Sequence, residues 1–451
     1  MKKISIKSVV TCLVLMLLSI LTSCSSDDYL NVIPDNSTAL IAIDAHSLLE
    51  KGKGSDIKKM LSLDDFAECG IDLTEKLYIF ETVDGNIGMA AKIADCDKLA
   101  GWFDQMSKDG KCKPTSEYKD YKFTVIKDSW VVGFSDDALV VLGPTLPVQQ
   151  SETKLSIVKL LGQEEDNGIK GTPMFDRLDS IKAPVAFIAQ AQALPDKFVA
   201  PFTLCAPKDA DLSQIMIAAE LSSTDGNNIV IRGETFSFNA KIDSEIKSSY
   251  NILRPIKGKY LNSMSSNSLL GVFLNVDGGH FINLLHSNKT FQALLAGMNT
   301  AIDMDNIIKS IDGDFVVVIP KLVKDMPEMQ MCAQLKSKAF LNDVDYWKQS
   351  CPAGSKILDW GKDSYCYTGG DLTYYFGVSS DMQFYSGSTE TEAKSILSKS
   401  VEPLSADIQN MINGQRMAMV LNLNMLLGQD GLGNIAHSLL GDKSTVLYIM
   451  K

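Results

Sequence analysis

Few residues in this sequence have the types and spacing that catalysis or metal binding requires. The histidines are His46, His280, His286 and His437. No two of them lie four positions apart and no HExxH occurs, so the sequence lacks the helical zinc-site pattern. His280 and His286, six apart, would lie on different faces of a helix. The GxSxG, P-loop and GxGxxG patterns are absent as well. We therefore expect no metal ion, cofactor or catalytic residue.

The remaining polar and aromatic clusters have ordinary structural interpretations. Glu164-Glu165-Asp166 is typical of a solvated acidic loop. The glycine-rich residues 428–434 do not fit the spacing of a calcium loop and indicate a flexible loop. Asp136-Asp137 is interpreted as a pair of turn residues. Trp102 and Trp347 are expected to pack in a core, and a sugar-stacking platform is the alternative.

The amino terminus predicts export. Three lysines at positions 2, 3 and 7 precede an apolar run over residues 9–21. This run has the length of a signal-peptide core and is shorter than the roughly 20 residues of a membrane-spanning helix. The next residues, Leu21-Thr22-Ser23-Cys24, resemble the lipobox of bacterial lipoproteins. The resemblance implies that residues 1–23 are a signal peptide, that cleavage precedes Cys24, and that lipid on Cys24 anchors the protein to a membrane.

The residues after Cys24 suggest a location. Ser25-Ser26-Asp27-Asp28 resembles the surface-export signal of Bacteroidetes lipoproteins, so an outer-membrane position facing the cell surface is favoured over one facing the periplasm.

The chain has a net charge of −12, and loss of the three signal-peptide lysines makes it −15. Nucleic-acid binding requires clustered cations that neutralise phosphates, so no nucleic-acid partner is expected.

Seven of the nine cysteines remain after Cys12 leaves with the signal peptide and Cys24 is lipidated. An odd number leaves at least one free thiol in a monomer, and the absence of CxxC argues against redox catalysis. Cys96 with Cys112, or Cys351 with Cys366, could form disulfides in an oxidising envelope. Buried free thiols are the favoured interpretation.

Ordered matches between the two halves of the chain predict an internal duplication. The offset between matching residues starts at 231, rises to 245 and returns to 231, and the order of the matches is preserved. The best pairs are Tyr29-Leu30-Asn31 with Tyr260-Leu261-Asn262, Trp102 with Trp347, and residues 185–188 with residues 418–421. We predict two tandem α+β repeats, residues 24–250 and 251–451, each an antiparallel sheet with helices packed on one face.

The local patterns predict the elements of each repeat. Residues 39–43 are expected to form a strand, residues 77–94 a hairpin around Asp84-Gly85-Asn86, and residues 281–298 one amphipathic helix. A second hairpin is predicted from residues 122–133 and 138–142. The second repeat ends early, inside the apolar strand at Met450, which predicts an open edge. A protein partner could cover this edge, the repeat could be naturally short, or the reading frame could be truncated.

The lipobox, the segment Tyr29-Leu30-Asn31-Val32-Ile33-Pro34-Asp35, the strand at 41–44 and the duplicated layout together resemble a family of uncharacterised Bacteroidetes lipoproteins, a domain of unknown function. The resemblance implies an envelope location and supplies no catalytic residues. We expect a non-enzymatic binding or scaffold module. The alternatives are a carboxylate-dependent hydrolase acting on glycans and a docking subunit of an envelope complex.

Overall fold

A computed structural model describes residues 27–50, 69–194, 196–223, 228–299, 302–323, 326–370, 372–422 and 445–450. The predicted signal peptide, Cys24, His437 and the glycine-rich residues 428–434 lie outside these ranges. Within them, no helix combines the length and the apolar character needed to cross a membrane.

The fold mixes antiparallel strands with short helices, which confirms the predicted α+β class. The strands are β1 Ala39–Ile43, β2 Leu77–Glu81, β3 Ile87–Lys92, β4 Ser116–Tyr118, β5 Tyr121–Ile126, β6 Trp130–Phe134, β7 Ala138–Gly143, β8 Val185–Gln190, β9 Met216–Ser223, β10 Asn228–Phe236, β11 Leu270–Asp277, β12 Ile311–Ile319, β13 Leu322–Val323, β14 Met326–Pro327, β15 Gln330–Leu335, β16 Lys356–Gly361, β17 Ser364–Gly369, β18 Leu372–Val378, β19 Gln383–Gly387, β20 Met417–Asn422 and β21 Thr445–Met450.

The α-helices lie between these strands and most have fewer than thirteen residues. They are α1 Ala45–Glu50, α2 Cys96–Lys108, α3 Gln150–Leu161, α4 Pro173–Asp179, α5 Asp196–Phe202, α6 Ala240–Tyr250, α7 Gly278–Ser287, α8 Lys289–Met298, α9 Met304–Lys309, α10 Val344–Ser350, α11 Glu390–Ser395 and α12 Ala406–Ile412. The single helix predicted over 281–298 is wrong, because Asn288 adopts an extended conformation that separates α7 from α8.

The described residues form two compact units. The first contains residues 27–46 and 69–179, and the second contains residues 47–50 and those from 180 onward. The unit boundary therefore differs from the repeat boundary predicted at residue 250. Strands β8 to β10 belong to the second unit because β10 is hydrogen-bonded to β9 and to β21.

The sheet of the first unit is antiparallel, in the order β1-β2-β3-β7-β6-β5-β4. The predicted hairpin around Asp84-Gly85-Asn86 is confirmed as β2 and β3. The strand predicted over 122–133 is instead two strands, β5 and β6. The backbone reverses at Lys127 and Asp128, both of which have positive φ angles.

The sheet of the second unit runs β8-β9-β10-β21-β20-β11-β12-β15-β19-β18-β17-β16, and only the β10–β21 pair in this order is parallel. The open edge predicted at the last strand is wrong. β21 pairs with β10 from Asn228↔Thr445 to Gly233↔Met450 on one side, and with β20 on the other. Both rows of backbone donors and acceptors on β21 are thus used inside the unit.

Helices cover both faces of the sheets, so the prediction of helices on one face is also wrong. In the first unit, Phe103 of α2 stacks on Phe134 at 5.6 Å, whereas a Cβ on the neighbouring Gly133 would meet Ile157 of α3. Successive strand residues point to opposite faces. In the second unit, Leu274 and Phe273 likewise belong to two separate apolar clusters.

Candidate functional site

A polar cleft of about 900 Å³ lies in the first unit. Four stretches of chain surround it: residues 34–36 before β1, the β2–β3 turn at 82–86, the end of β7 at 142–145, and residues 149–167, which contain α3 and the loop after it. Most of the lining side chains carry hydroxyl, amide or carboxylate groups. The volume falls in the range of about 300–1,000 Å³ that is usual for small-molecule sites.

The β2–β3 turn forms one wall of the cleft through its own hydrogen bonds. The Thr82 amide donates to the Asn86 carbonyl at 2.9 Å, and the Asn86 amide donates to the Thr82 hydroxyl oxygen at 3.1 Å. Gly85 takes a positive φ of 77°, a conformation that glycine adopts without steric cost. This closed turn leaves Val83 and Asp84 exposed at the cleft.

The connection from β7 to α3 forms a second wall. The Thr145 amide donates to the Ser129 carbonyl at 2.8 Å, which holds the chain after Pro144 against the sheet. The hydroxyl oxygens of Thr145 and Thr153 lie 3.2 Å apart. Because Thr153 also donates to the Gln149 carbonyl at 3.1 Å, the first turn of α3 is tied to the strand end. Glu152 and Ser156 lie on the same stretch of helix and line the cleft.

Gln163 joins the base of the cleft to the amino-terminal segment. Its side-chain amide donates to the Asn31 carbonyl at 2.8 Å and to the Asn167 carbonyl at 2.6 Å. The same Asn167 carbonyl accepts from the Asp35 amide at 3.2 Å. The Gln163 side chain therefore connects Asn31 to Asn167, which are more than 130 positions apart in the chain. The shape of the cleft thus depends on the loop at residues 163–167.

The cleft is acidic. Among the described residues that line it, four carry carboxyl groups, Asp35, Asp84, Glu152 and Glu164, and Lys159 alone carries a cationic side chain. Among the described residues, none of these four carboxylates forms an ion pair. In the described part of the chain, no aromatic side chain lines the cleft. Such a surface attracts neutral or cationic polar molecules and repels anions.

The predicted candidate residues do not come together here. Of the acidic triplet, Glu164 lines the cleft, whereas Glu165 lies 3.6 Å from the Lys170 ammonium. Asp136 and Asp137 are exposed turn residues, as predicted. Trp347 is 5% exposed, which confirms core packing, and the half-buried Trp102 lies edge-on to Phe103 at 5.1 Å.

The histidines and cysteines show no metal or redox site in the described part of the chain. No group of three histidine, cysteine or acidic side chains is close enough there to hold a metal ion. His286 Nε2 lies 2.7 Å from a carboxylate oxygen of Asp305, and His46 and His280 are exposed. All seven cysteines expected in the mature protein are free thiols, so neither candidate disulfide forms.

One pair of acidic residues shows the perturbation that a carboxylate-dependent enzyme would need. Burial and the neighbouring Glu328 raise the pKa of Glu392. However, Glu392 completes a capping box with Thr389 at the start of α11, and Glu328 lies 3.3 Å from the Lys321 ammonium. The pair belongs to the second unit and has a structural explanation, because the capping interactions stabilise a helix end.

Sequence reasoning did not find most residues that line the cleft. They come from four separate stretches and share no motif, and each is an ordinary turn or helix-surface residue. Two signals were usable. The polar turn Asp84-Gly85-Asn86 predicted a hairpin rather than a site, and the acidic triplet, interpreted as a solvated loop, contributes Glu164 to the lining.

Comparison with known proteins gives a family and little else. No curated protein matches the chain. A solved structure titled "Structure of crystal form IV of TP0453" aligns at 8% sequence identity and a TM-score of 0.30, covering 43% of this chain and 75% of that one. Residues 55–427 match the profile described as "Domain of unknown function (DUF4836)". The chain belongs to the DUF4836 family. This membership confirms the resemblance to a domain of unknown function. The DUF4836 match includes residues 69–179 of the first unit and most of the second, and its description names no activity.

Proposed function

We propose that this DUF4836 protein is a lipid-anchored, non-enzymatic binding module of the bacterial envelope, and that the polar cleft holds its ligand. The observation that carries the proposal is a cleft of ligand size whose four carboxylates have no ion-pair partner among the described residues. When charged side chains that line a concave site form no ion pair within the fold, they can interact with a ligand.

The lining indicates the chemistry of the ligand. Amide and hydroxyl groups such as those of Asn36, Asn86 and Thr145 suit a molecule with several hydrogen-bonding groups. The excess of carboxylates over the single Lys159 favours an amine over an acid. An amino sugar meets both requirements, and its neutral N-acetylated form is a matched probe that differs in charge.

The test measures binding of the glucosamine trisaccharide and of the N,N′,N″-triacetylated trisaccharide to the purified full-length chain by calorimetry. We expect the cationic trisaccharide to bind more tightly. Replacing Asp84 by Asn and Glu152 by Gln should weaken its binding by about fivefold each, since one charge at about 4 Å in a water-exposed site contributes about 1 kcal/mol. Binding of the acetylated trisaccharide should change less.

Glu117→Gln is the matched control, because Glu117 is an exposed acid on β4 that does not line the cleft. It should leave both affinities unchanged. If neither trisaccharide binds, the amino-sugar assignment fails. If the Glu117 variant loses as much affinity as the cleft variants, the effect is one of net charge and the cleft is not the binding site.

The anchoring part of the proposal rests on the lipobox ending at Cys24. A thioether-linked lipid together with an acylated amine would give stable membrane attachment, whereas a single acyl chain gives weak binding. Cys24→Ala should move the protein from the membrane fraction to the soluble fraction. A Cys12→Ala variant is the control and should remain in the membrane fraction. Retention of the Cys24 variant in membranes would contradict lipidation at this residue. An outer-membrane, surface-facing position in a Bacteroidetes envelope is part of the same proposal.

We further propose that the body arose by duplication, and the strand order of the two units supports this. The path β1-β2-β3-β7-β6-β5-β4 in the first unit has the same connectivity as β11-β12-β15-β19-β18-β17-β16 in the second. In both units, a helix with a tryptophan, Trp102 in α2 or Trp347 in α10, follows the third strand of this path.

The two alternatives have less support. A glycan hydrolase would need an acid with a raised pKa in the cleft, and Glu392, whose pKa burial raises, does not line it. A docking subunit of an envelope complex would need a surface other than β21, because both edges of that strand are paired.

A further inference from the structure

The polar cleft of the first unit is elongated, and α3 forms its long wall. Glu152, Ser156 and Lys159 line the cleft at intervals of four and three residues, which is the spacing of a single helix face. Leu160, eight residues after Glu152, lines it as well. Because an α-helix rises by about 1.5 Å per residue, the cleft extends at least about 12 Å along the helix.

Two of the four lining carboxylates, those of Asp84 and Glu152, lie at the first end of this wall. The first turn of α3 holds Glu152 and is tied to the end of β7 by the hydroxyl groups of Thr145 and Thr153, whose oxygens lie 3.2 Å apart. The turn that holds Asp84 lies beside the same strand end, because β3 begins opposite Gly143. This end therefore carries two negative charges.

The other two carboxylates, those of Asp35 and Glu164, lie at the second end. The Asn167 carbonyl accepts a hydrogen bond from the Asp35 amide at 3.2 Å, and the Asn167 amide donates to the Glu164 carbonyl at 3.1 Å. Lys159 lies at this end too, about 10 Å from Glu152 along the helix axis. Its ammonium group offsets one of the two charges, so the second end is less negative than the first.

The distance between the two ends fits a chain of sugars. Charges on a protein surface that are more than about 8 Å apart are largely screened from each other at physiological ionic strength, so the two ends act as separate electrostatic sites. One pyranose ring advances a linear saccharide by about as much as one helical turn, which is about 5.4 Å. Amines on the first and third sugars of a chain would thus reach both ends of the cleft at once.

We infer that the cleft binds a linear oligosaccharide of three or more sugars that lies along α3 and carries an amine at each end of the cleft. This inference rests on the proposed function and adds the length of the ligand and the spacing of its charges. A single amino sugar would occupy chiefly the more negative first end. Because a linked ligand gains the second contact within one molecule, the glucosamine trisaccharide should bind at least about tenfold more tightly than glucosamine.

The experiment measures the binding of glucosamine and of the glucosamine trisaccharide to the purified full-length chain by calorimetry at physiological ionic strength. Glu164→Gln should weaken trisaccharide binding by about fivefold, because one charge is lost at the second end. Lys159→Gln should strengthen it, since the variant removes a repelling charge there. Both variants should leave glucosamine binding nearly unchanged, whereas Glu152→Gln should weaken the binding of both ligands.

Glu165→Gln is the matched control. Glu165 is the neighbour of Glu164, lies 3.6 Å from the Lys170 ammonium and does not line the cleft, so both affinities should stay unchanged. A trisaccharide that binds no more tightly than glucosamine, or equal losses of both ligands in Glu164→Gln, would overturn the inference and leave the amino-sugar assignment intact. An equal loss in Glu165→Gln would also overturn it. If neither ligand binds, the proposed function fails first, and the inference fails with it.

Discussion

Gly278 allows two helices of the second unit to approach closely, and Gly278→Ala tests that approach. A Cβ on Gly278 would lie 1.8 Å from the carbonyl oxygen of Ile308 and 2.9 Å from its carbonyl carbon. Ordinary contact begins at 3.4 Å, so the backbone at the end of α9 would have to move by about 1.6 Å. Ile307 and Ile308 are buried in the core of the unit, which resists such a shift.

The expected cost of Gly278→Ala is about 2–4 kcal/mol in the free energy of unfolding. Overpacking a core with one or a few methyl groups typically costs about 1–3 kcal/mol, and here the obstacle is backbone rather than a side chain that can rotate. The higher helix propensity of alanine offsets at most about 1 kcal/mol.

Gly297→Ala is the matched control on the next helix, α8. A Cβ at Gly297 meets no atom within 4 Å. The same substitution should therefore stabilise the protein there by about 0.5–1 kcal/mol, because alanine favours the helix. The two variants differ in the sign of their effect although the chemical change is identical.

Urea unfolding followed by tryptophan fluorescence measures both effects. In a background with Trp102→Phe and Trp130→Phe, the remaining tryptophans, Trp347 and Trp360, both belong to the second unit. The signal then reports that unit alone. A Gly278 variant within 1 kcal/mol of the background protein would refute the close approach of α7 to the end of α9.

Three further predictions follow from buried groups. Asp314 is 3% exposed and accepts three hydrogen bonds, two of them from backbone amides. In urea unfolding, Asp314→Ala should lower the free energy of unfolding by about 3–5 kcal/mol, and Asp314→Asn should lower it clearly less. Equal losses for the two variants would contradict this role. Burial would raise the pKa of Asp305, but hydrogen bonds from Asn299 and His286 outweigh it and lower that pKa. Asp305 should therefore add stability above about pH 4 that is lost as the pH falls through its lowered pKa. A stability difference between the wild-type protein and Asp305→Asn that does not decrease as the pH falls below about 4 would contradict this. Mass spectrometry after iodoacetamide treatment of the unfolded mature chain without reductant should show seven modified cysteines, and fewer adducts would indicate a disulfide.

Local patterns were enough to predict many elements of the fold. The apolar run with β-branched residues at 39–43 and the turn Asp84-Gly85-Asn86 each depend on neighbours within a few positions, and both appear as expected. The helix at 281–298 failed because apolar spacing continues across Asn288, whose extended backbone ends α7. The spacing of apolar residues does not reveal where one helix ends and the next begins when both helices are amphipathic.

Pairings between strands that lie far apart in the chain could not be predicted from the sequence. β21 was expected to have a free edge because the second half lacks the hairpin that follows the matching segment of the first half. It pairs with β10, more than 200 residues earlier. Helix coverage on both faces was missed as well, because each strand pattern indicates burial without identifying what covers it.

The amino-acid sequence alone was sufficient for the α+β class, the ordered matches between its halves, and the lipobox prediction at Cys24, because each depends on residue types at short spacing or on direct comparison of segments. Only the tertiary structure brought Asp35, Asp84, Glu152 and Gln163 around one cleft. Such sites arise from contacts between stretches that are far apart in the chain, and no local pattern of residues encodes the distance between them.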